Sequence, residues 1–261
     1  AGSVCEDTEL GLRLLRQGLR VVYVDEVLGT GLVPSDFAAY QRQRRRWAQG
    51  AMQILRRHRA ALLGRSRLRL AQRYHFVAGW LPWLGDALHL AFSVVAIGWT
   101  LGVLSAPQVF GLPTPLFVAP LVAFIGLRLL LMPLLYSRRV PCRVADIAGA
   151  ALAGMALSHS IARGVIAGLV GRRAVFHVTS KGPVDRAGDT RPGQRPGAFA
   201  SVREETALMT GLLACIAAIG VHTAAASSVP VVWLQVALGM QALPYAAALV
   251  CAWLSREEQR R

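Results

Sequence analysis

The apolar positions divide the chain near residue 75. Before it they come in short periodic groups among arginines. After it they come in runs long enough to cross a bilayer, for which a helix needs about 20 apolar residues. Four stretches reach that length: Phe76–Leu104, Leu116–Tyr136, Thr206–Ala226 and Val231–Leu254. A fifth, Ile147–Val170, comes close but carries His159, Arg163 and many small residues. In the first part, Glu6-Asp7-Thr8-Glu9 ahead of Leu10, Leu12, Leu14 and Leu15, with Gly18 behind them, predicts a capped amphipathic helix with acids at its positive end. Arg20-Val21-Val22-Tyr23-Val24 predicts a short buried strand. Ser35-Asp36 predicts the cap of a second helix carrying Phe37, Tyr40, Trp47, Met52, Ile54 and Leu55.

Composition supports a membrane reading. Hydrophobic residues make up 54% of the 261 and charged residues 16%, which excludes a disordered chain and argues against an ordinary soluble domain. The net charge is +15, and with a single lysine, Lys181, 28 of the 29 basic residues are arginine. With four spans, residues 1–75, 137–205 and 255–261 share one side and hold every arginine except Arg128. The opposite loops, Ser105–Pro115 and Ser227–Pro230, hold no charge, so the positive-inside rule puts the arginine-rich side in the cytoplasm. Making the fifth stretch a span would send Arg172, Arg173, Lys181, Arg186, Arg191 and Arg195 outside. Residues 137–170 are therefore expected to hold a helix in the cytoplasmic interface, with Arg143, Asp146 and Arg163 facing water.

The four cysteines are far apart and lack ligand spacing, which disfavours zinc and a disulfide framework; Cys215 and Cys251 read as packing residues. No signal peptide opens the chain, whose first residues read like the middle of a domain, so we expect the C-terminal part of a longer protein. Asp86 and Arg128 lie inside the first two spans, each about 15 Å from its cytoplasmic end at the helical rise. They are expected to pair there, unless Arg128 snorkels to the interface. Trp80, Trp83, His89 and Trp99 suit the lining of a channel, and equally a lipid belt or core packing.

Three segments carry candidate chemistry. In Cys5-Glu6-Asp7-Thr8, an Asp at a strand-to-helix junction can take a proton from a hydroxyl nucleophile, although it also reads as a simple N-cap. In Gln43-Arg44-Arg45-Arg46-Trp47, the arginine fork suits a pyrophosphate and the tryptophan face suits a sugar ring. The same pattern suits an interfacial helix against anionic lipid. In Phe176-His177-Val178-Thr179-Ser180-Lys181-Gly182, the only lysine stands beside hydroxyls and a glycine, a set suited to a diphosphate or to a solvated basic loop.

Taken in order, the TED-like acid, QxxRW, paired apolar spans, an interface helix and FxVTxKG closely resemble bacterial cellulose synthase catalytic subunits, and more broadly the processive membrane enzymes of glycosyltransferase family 2. The resemblance implies the end of a GT-A-like α/β domain followed by four transmembrane helices and amphipathic interface helices. Its division is a GT-A remnant at 1–34, QxxRW interface helices at 35–75, two spans at 76–136, the interface helix at 137–170, a gating-type loop at 171–205, and two spans with a tail at 206–261. It implies Asp7 as the general base, with Cys5 in place of the usual Thr. It implies Gln43, Arg46 and Trp47 as donor and acceptor contacts, and Phe176, Val178, Thr179 and Lys181 as the gating loop. The reaction would be inverting transfer from a nucleotide sugar, with UDP-glucose the expected donor, onto a growing glycan that is exported. Mg²⁺ or Mn²⁺ would be held by ligands upstream of Ala1, with none in this stretch, which alone would not be competent. Membrane lipids and an accessory export subunit are the other partners implied, in a bacterial inner membrane. No cyclic-dinucleotide-sensing domain of the PilZ type is expected. The alternatives are transfer of a single sugar to a lipid acceptor, and a non-catalytic transporter. Arg42–Arg73, with eleven arginines and no acid, also raises nucleic-acid binding, which the neighbouring tryptophan and spans argue against.

Overall fold

The computed structural model describes residues 5–34, 36–64, 66–139, 142–171, 198–222 and 229–260, with backbone alone for parts of the fourth helix and for 198–199 and 258–260. Every regular element among them is helical: α1 (Glu6–Arg16), α2 (Phe37–Leu63), α3 (Leu70–Ser105), α4 (Pro115–Arg139), α5 (Val144–Ala156), α6 (Ser158–Val170), α7 (Arg203–His222) and α8 (Val229–Arg260), with a 3₁₀ turn at Ala198–Val202. Residues 1–88 with 160–196 form one compact unit, and 89–159 with 197–261 another.

In the first unit, α1 ends in a Schellman motif. The Gly18 amide donates to Leu15 O and the Leu19 amide to Leu14 O, which requires the positive φ of +86° that Gly18 supplies. The Asp36 carboxylate accepts the Ala39 amide at 2.7 Å and starts α2. Helix α2 breaks its helical geometry at His58 (φ −107°, ψ 17°) and buries Ala48, Ala51, Met52 and Ile54 along one side. Against that side lies α6, brought close by two glycines one turn apart. A Cβ on Gly164 would run into the Arg45 carbonyl oxygen and stand 3.1 Å from Ala48 Cβ. One on Gly168 would stand 2.6 Å from Met52 Cβ and 2.7 Å from Gln49 O. Small residues at this spacing let two helix backbones approach closely. Arg56 adds a hydrogen bond to Gly168 O at 3.3 Å. Arg73 donates to the carbonyls of Gly64, Ser66 and Leu68, tying the turn between α2 and α3 to the start of α3.

The strand expected at Arg20–Val24 is not formed. Residues 19–34 run without regular structure, and Val21, Val22, Tyr23 and Val24 are all exposed. A strand needs a ladder partner as well as β-branched residues, and none of the described residues supplies one.

In the second unit α8 is central. Helices α4, α5 and α7 and the 3₁₀ turn all pack on it, around Leu212, Cys215, Ile219, Leu234, Leu238 and Tyr245. A buried polar group crosses this apolar core. Tyr245 Oη donates to Ser93 Oγ at 2.9 Å, and Ser93 Oγ lies 2.8 Å from Gln241 Oε1. Among apolar helices such bonds fix the register that non-directional packing leaves open. His159 Nε2 lies 2.9 Å from Glu204 Oε2 in the first turn of α7.

Among the described residues three segments are long and apolar enough to cross a membrane: Leu70–Ser105, Ala200–His222 and Val229–Glu257. They cover three of the four expected spans. Helix α4 occupies the place of the fourth, but many of its side chains, Arg128 included, lie outside the described residues, and so does the expected Asp86–Arg128 pair. Asp86 itself is buried. The segment expected as one interface helix is two, α5 and α6, bent by 42° and together apolar enough for a broken span or a re-entrant loop. Arg143 and Asp146 at its start are exposed and form a capping pair, whereas Arg163 is half-buried. Trp80 is buried, and Trp99 is pinned by a 3.1 Å hydrogen bond to Gly111 O and an edge contact with Phe110.

Candidate active site

The acid-bearing turn and the QxxRW helix come together in the first unit. Helix α1 starts with Glu6, Asp7 and Glu9 in its first turn and ends with Arg13 and Arg16 in its last, each set opposing the helix dipole. Its N-cap is Cys5, not Asp7, and the Cys5 side chain makes no cap hydrogen bond. The thiol instead reaches across to Trp47 O on α2, at 3.7 Å. Burial, then the Asp7 carboxylate, push this thiol up to about 11 against the pull of the Arg46 guanidinium. Cys5 is thus a protonated packing group, and a carboxylate and a guanidinium flank it.

Asp7 is exposed. One of its oxygens accepts the Thr8 amide at 2.7 Å and lies 3.4 Å from Thr8 Oγ1. The carboxylate is accessible and ionisable, as a general base requires. On α2, Gln43, Arg46 and Trp47 are each half-buried and recur at three- and four-residue spacing, which puts them on one side of the helix. Arg44, which sequence reasoning did not single out, lies 4.5 Å from the Trp47 ring centroid and 5.0 Å from that of Tyr40, and donates to Tyr40 Oη at 3.0 Å. A cation over the indole face fixes the orientation of the ring. The Tyr40–Arg44–Trp47 spacing is the signal that reveals it.

A second cluster also escaped the sequence. Glu9 is 5% exposed, and three donors converge on its Oε1: Arg13 at 2.9 Å, Arg57 at 3.0 Å and His58 Nε2 at 3.3 Å. His58 Nδ1 faces Arg16 Nη1 at 3.0 Å. A guanidinium can only donate, so Nδ1 accepts and Nε2–H is the donor to Glu9. Burial alone would raise the Glu9 carboxyl, but the bonds from Arg57, His58 and Arg13 outweigh it and hold the group down to about 2.

That shift sets a pH dependence. A carboxyl lowered by folding stabilises the fold above its unfolded value, near 4.3, and the stabilisation is lost as pH falls towards 2. Thermal unfolding of the detergent-solubilised protein is expected to show an acid-side loss between pH 4.5 and 2.5 that is smaller in Glu9→Gln. Equal losses in both proteins would show that Glu9 is not its source.

Among the described residues no three His, Cys, Asp or Glu side chains converge as a metal site, and Glu9 is engaged by cations. Phe176, Val178, Thr179 and Lys181 lie outside the described residues.

No curated protein and no solved structure matches the chain. The model of the family described as glycosyl transferase family group 2 matches residues 1–157, more than half of the chain, a stretch that takes in α1 and α2 with Asp7, Glu9, Gln43, Arg46 and Trp47. The chain belongs to glycosyl transferase family group 2.

Proposed function

We propose that the protein extends a β-linked glycan by inverting transfer from a nucleotide sugar, with UDP-glucose as donor, and passes the product through its own membrane helices. Membership of the family brings a nucleotide-sugar donor and an acceptor. The observation that carries the finer reading is the bond from Cys5 to the Trp47 carbonyl, which puts the turn of Asp7 beside the QxxRW helix. In this reading the Asp7 carboxylate takes the proton of the acceptor hydroxyl. The oxygen attacks the anomeric carbon, and the bond to the diphosphate breaks with its electron pair leaving on the phosphate. Arg46 and Gln43 hold the diphosphate by charge-assisted hydrogen bonds, and the Trp47 ring stacks the acceptor sugar. A divalent cation would neutralise the departing diphosphate. The three apolar helices, with α4 as a fourth span, carry the product outward, and the arginine-rich side faces the cytoplasm.

The test is product length. Inside-out membrane vesicles carrying the full-length protein receive labelled UDP-glucose. Label in long, glucanase-sensitive polymer supports the proposal; label in a short, organic-extractable product would replace it with single transfer to a lipid. Trp47→Ala is expected to raise the acceptor KM roughly tenfold, the size of a lost stacking contact, and to shorten the product while donor KM holds. An unchanged product would remove Trp47 from the acceptor site.

A further inference from the structure

Among the described residues Asp7 bonds only its neighbour Thr8, so its position is that of α1. Helix α1 has only 11 residues, too few to be stable alone, and must be held from outside. Two polar clasps between α1 and α2 are seen among the described residues. One is the weak Cys5 thiol bond to Trp47 O; the other is the convergence of Arg57 and His58 on Glu9, completed by Arg16 on His58. On α2 these clasps are about three turns apart. A single attachment would let α1 swing, whereas two fix its direction. The second clasp lies at the break of α2, where His58 leaves helical geometry and its ring contacts α1 through both nitrogens.

We propose that Glu9 is a positioning residue, fastening α1 to the break of α2 and so fixing the place of Asp7 against Gln43, Arg46 and Trp47. The inference rests on Asp7 as the base. Beyond stabilising the fold, this carboxylate sets a direction, since Arg57 and His58 reach the same oxygen from α2 while Arg13 holds it from α1.

The experiment uses the full-length protein in membrane vesicles, with kinetics beside maleimide labelling of Cys5 quantified by peptide mass spectrometry. Cys142, which is exposed, serves as internal reference. Glu9→Gln is expected to lower kcat ten- to a hundredfold with donor KM within twofold, the size of a displacement of about 1 Å at the base. It is also expected to speed Cys5 labelling at least tenfold as the half-buried thiol comes away from Trp47 O. Arg57→Gln, which keeps Glu9 and its other donors, is expected to give a smaller change in both. Asp7→Asn should lower transfer about 10³-fold and, because it removes a carboxylate that raises the Cys5 thiol, speed Cys5 labelling by less than Glu9→Gln does. Wild-type kcat and wild-type labelling in Glu9→Gln would overturn the proposal. If Asp7→Asn transfers normally, the base reading has failed, and labelling still reports whether the clasp exists. If Asp7→Asn is inactive while Glu9→Gln is labelled fast but transfers normally, the clasp exists and does not position the base, which also overturns the proposal.

Discussion

Replacing Asp7 with asparagine is expected to lower sugar transfer by about 10³-fold, within the range that removal of a general base produces. Folding should be untouched. Asp7 is exposed, and its hydrogen bonds are to the Thr8 amide and hydroxyl beside it, which an asparagine oxygen can still accept. An asparagine cannot take the acceptor proton. The comparison is a rate measured in vesicles together with a thermal unfolding midpoint. A lost rate with an unchanged midpoint is the expected result. Transfer within tenfold of wild type would remove Asp7 from the chemistry.

The second large effect is expected from Gly164→Ala and Gly168→Ala. Each adds one methyl where α6 meets α2. The first meets the Arg45 carbonyl, and the second meets Met52 Cβ at 2.6 Å and Gln49 O at 2.7 Å, both part of the α2 backbone or fixed directly to it. The helices must separate, at a cost of about 1–3 kcal/mol for each substitution. Because Arg45 and Gln49 bracket Arg46 and Trp47, the shift also reaches the proposed binding residues, and activity should fall with stability. Gly149 and Gly154 on α5 are the controls, since an added Cβ there meets nothing within 4 Å among the described residues. Alanine at those positions should be neutral or slightly stabilising, as in any open helix. Equal effects at all four positions would show that close approach is not what Gly164 and Gly168 serve.

Signals that act within a few residues were legible in the sequence. Gly18 and Asp36 mark the end of α1 and the start of α2, because a Schellman turn and an N-cap are local chemistry. Three spans were legible from apolar length. Signals that need a partner misled or stayed silent. Val21–Val24 reads as a buried strand from its β-branched residues, yet burial and a ladder depend on neighbours that the described residues lack. The spacing of Gly164 and Gly168 is visible, but what they pack against is not. Glu9 looks like one more acid at a helix start, and only the folded chain brings Arg57 and His58 to it from 48 and 49 residues away. The site shows the same division. QxxRW and the acid turn could be picked out as separate pieces, whereas the Cys5–Trp47 bond that joins them could not, because it runs through a backbone carbonyl.

The central claim is that α1 supplies the base and α2 the donor contacts of one sugar-transfer site. It is tested most directly by measuring donor binding and transfer separately in wild type, Asp7→Asn and Arg46→Gln. The account predicts that Asp7→Asn binds the nucleotide sugar with wild-type Kd and does not transfer, while Arg46→Gln binds it more weakly. Wild-type transfer in Asp7→Asn, or wild-type donor binding in Arg46→Gln, would contradict it.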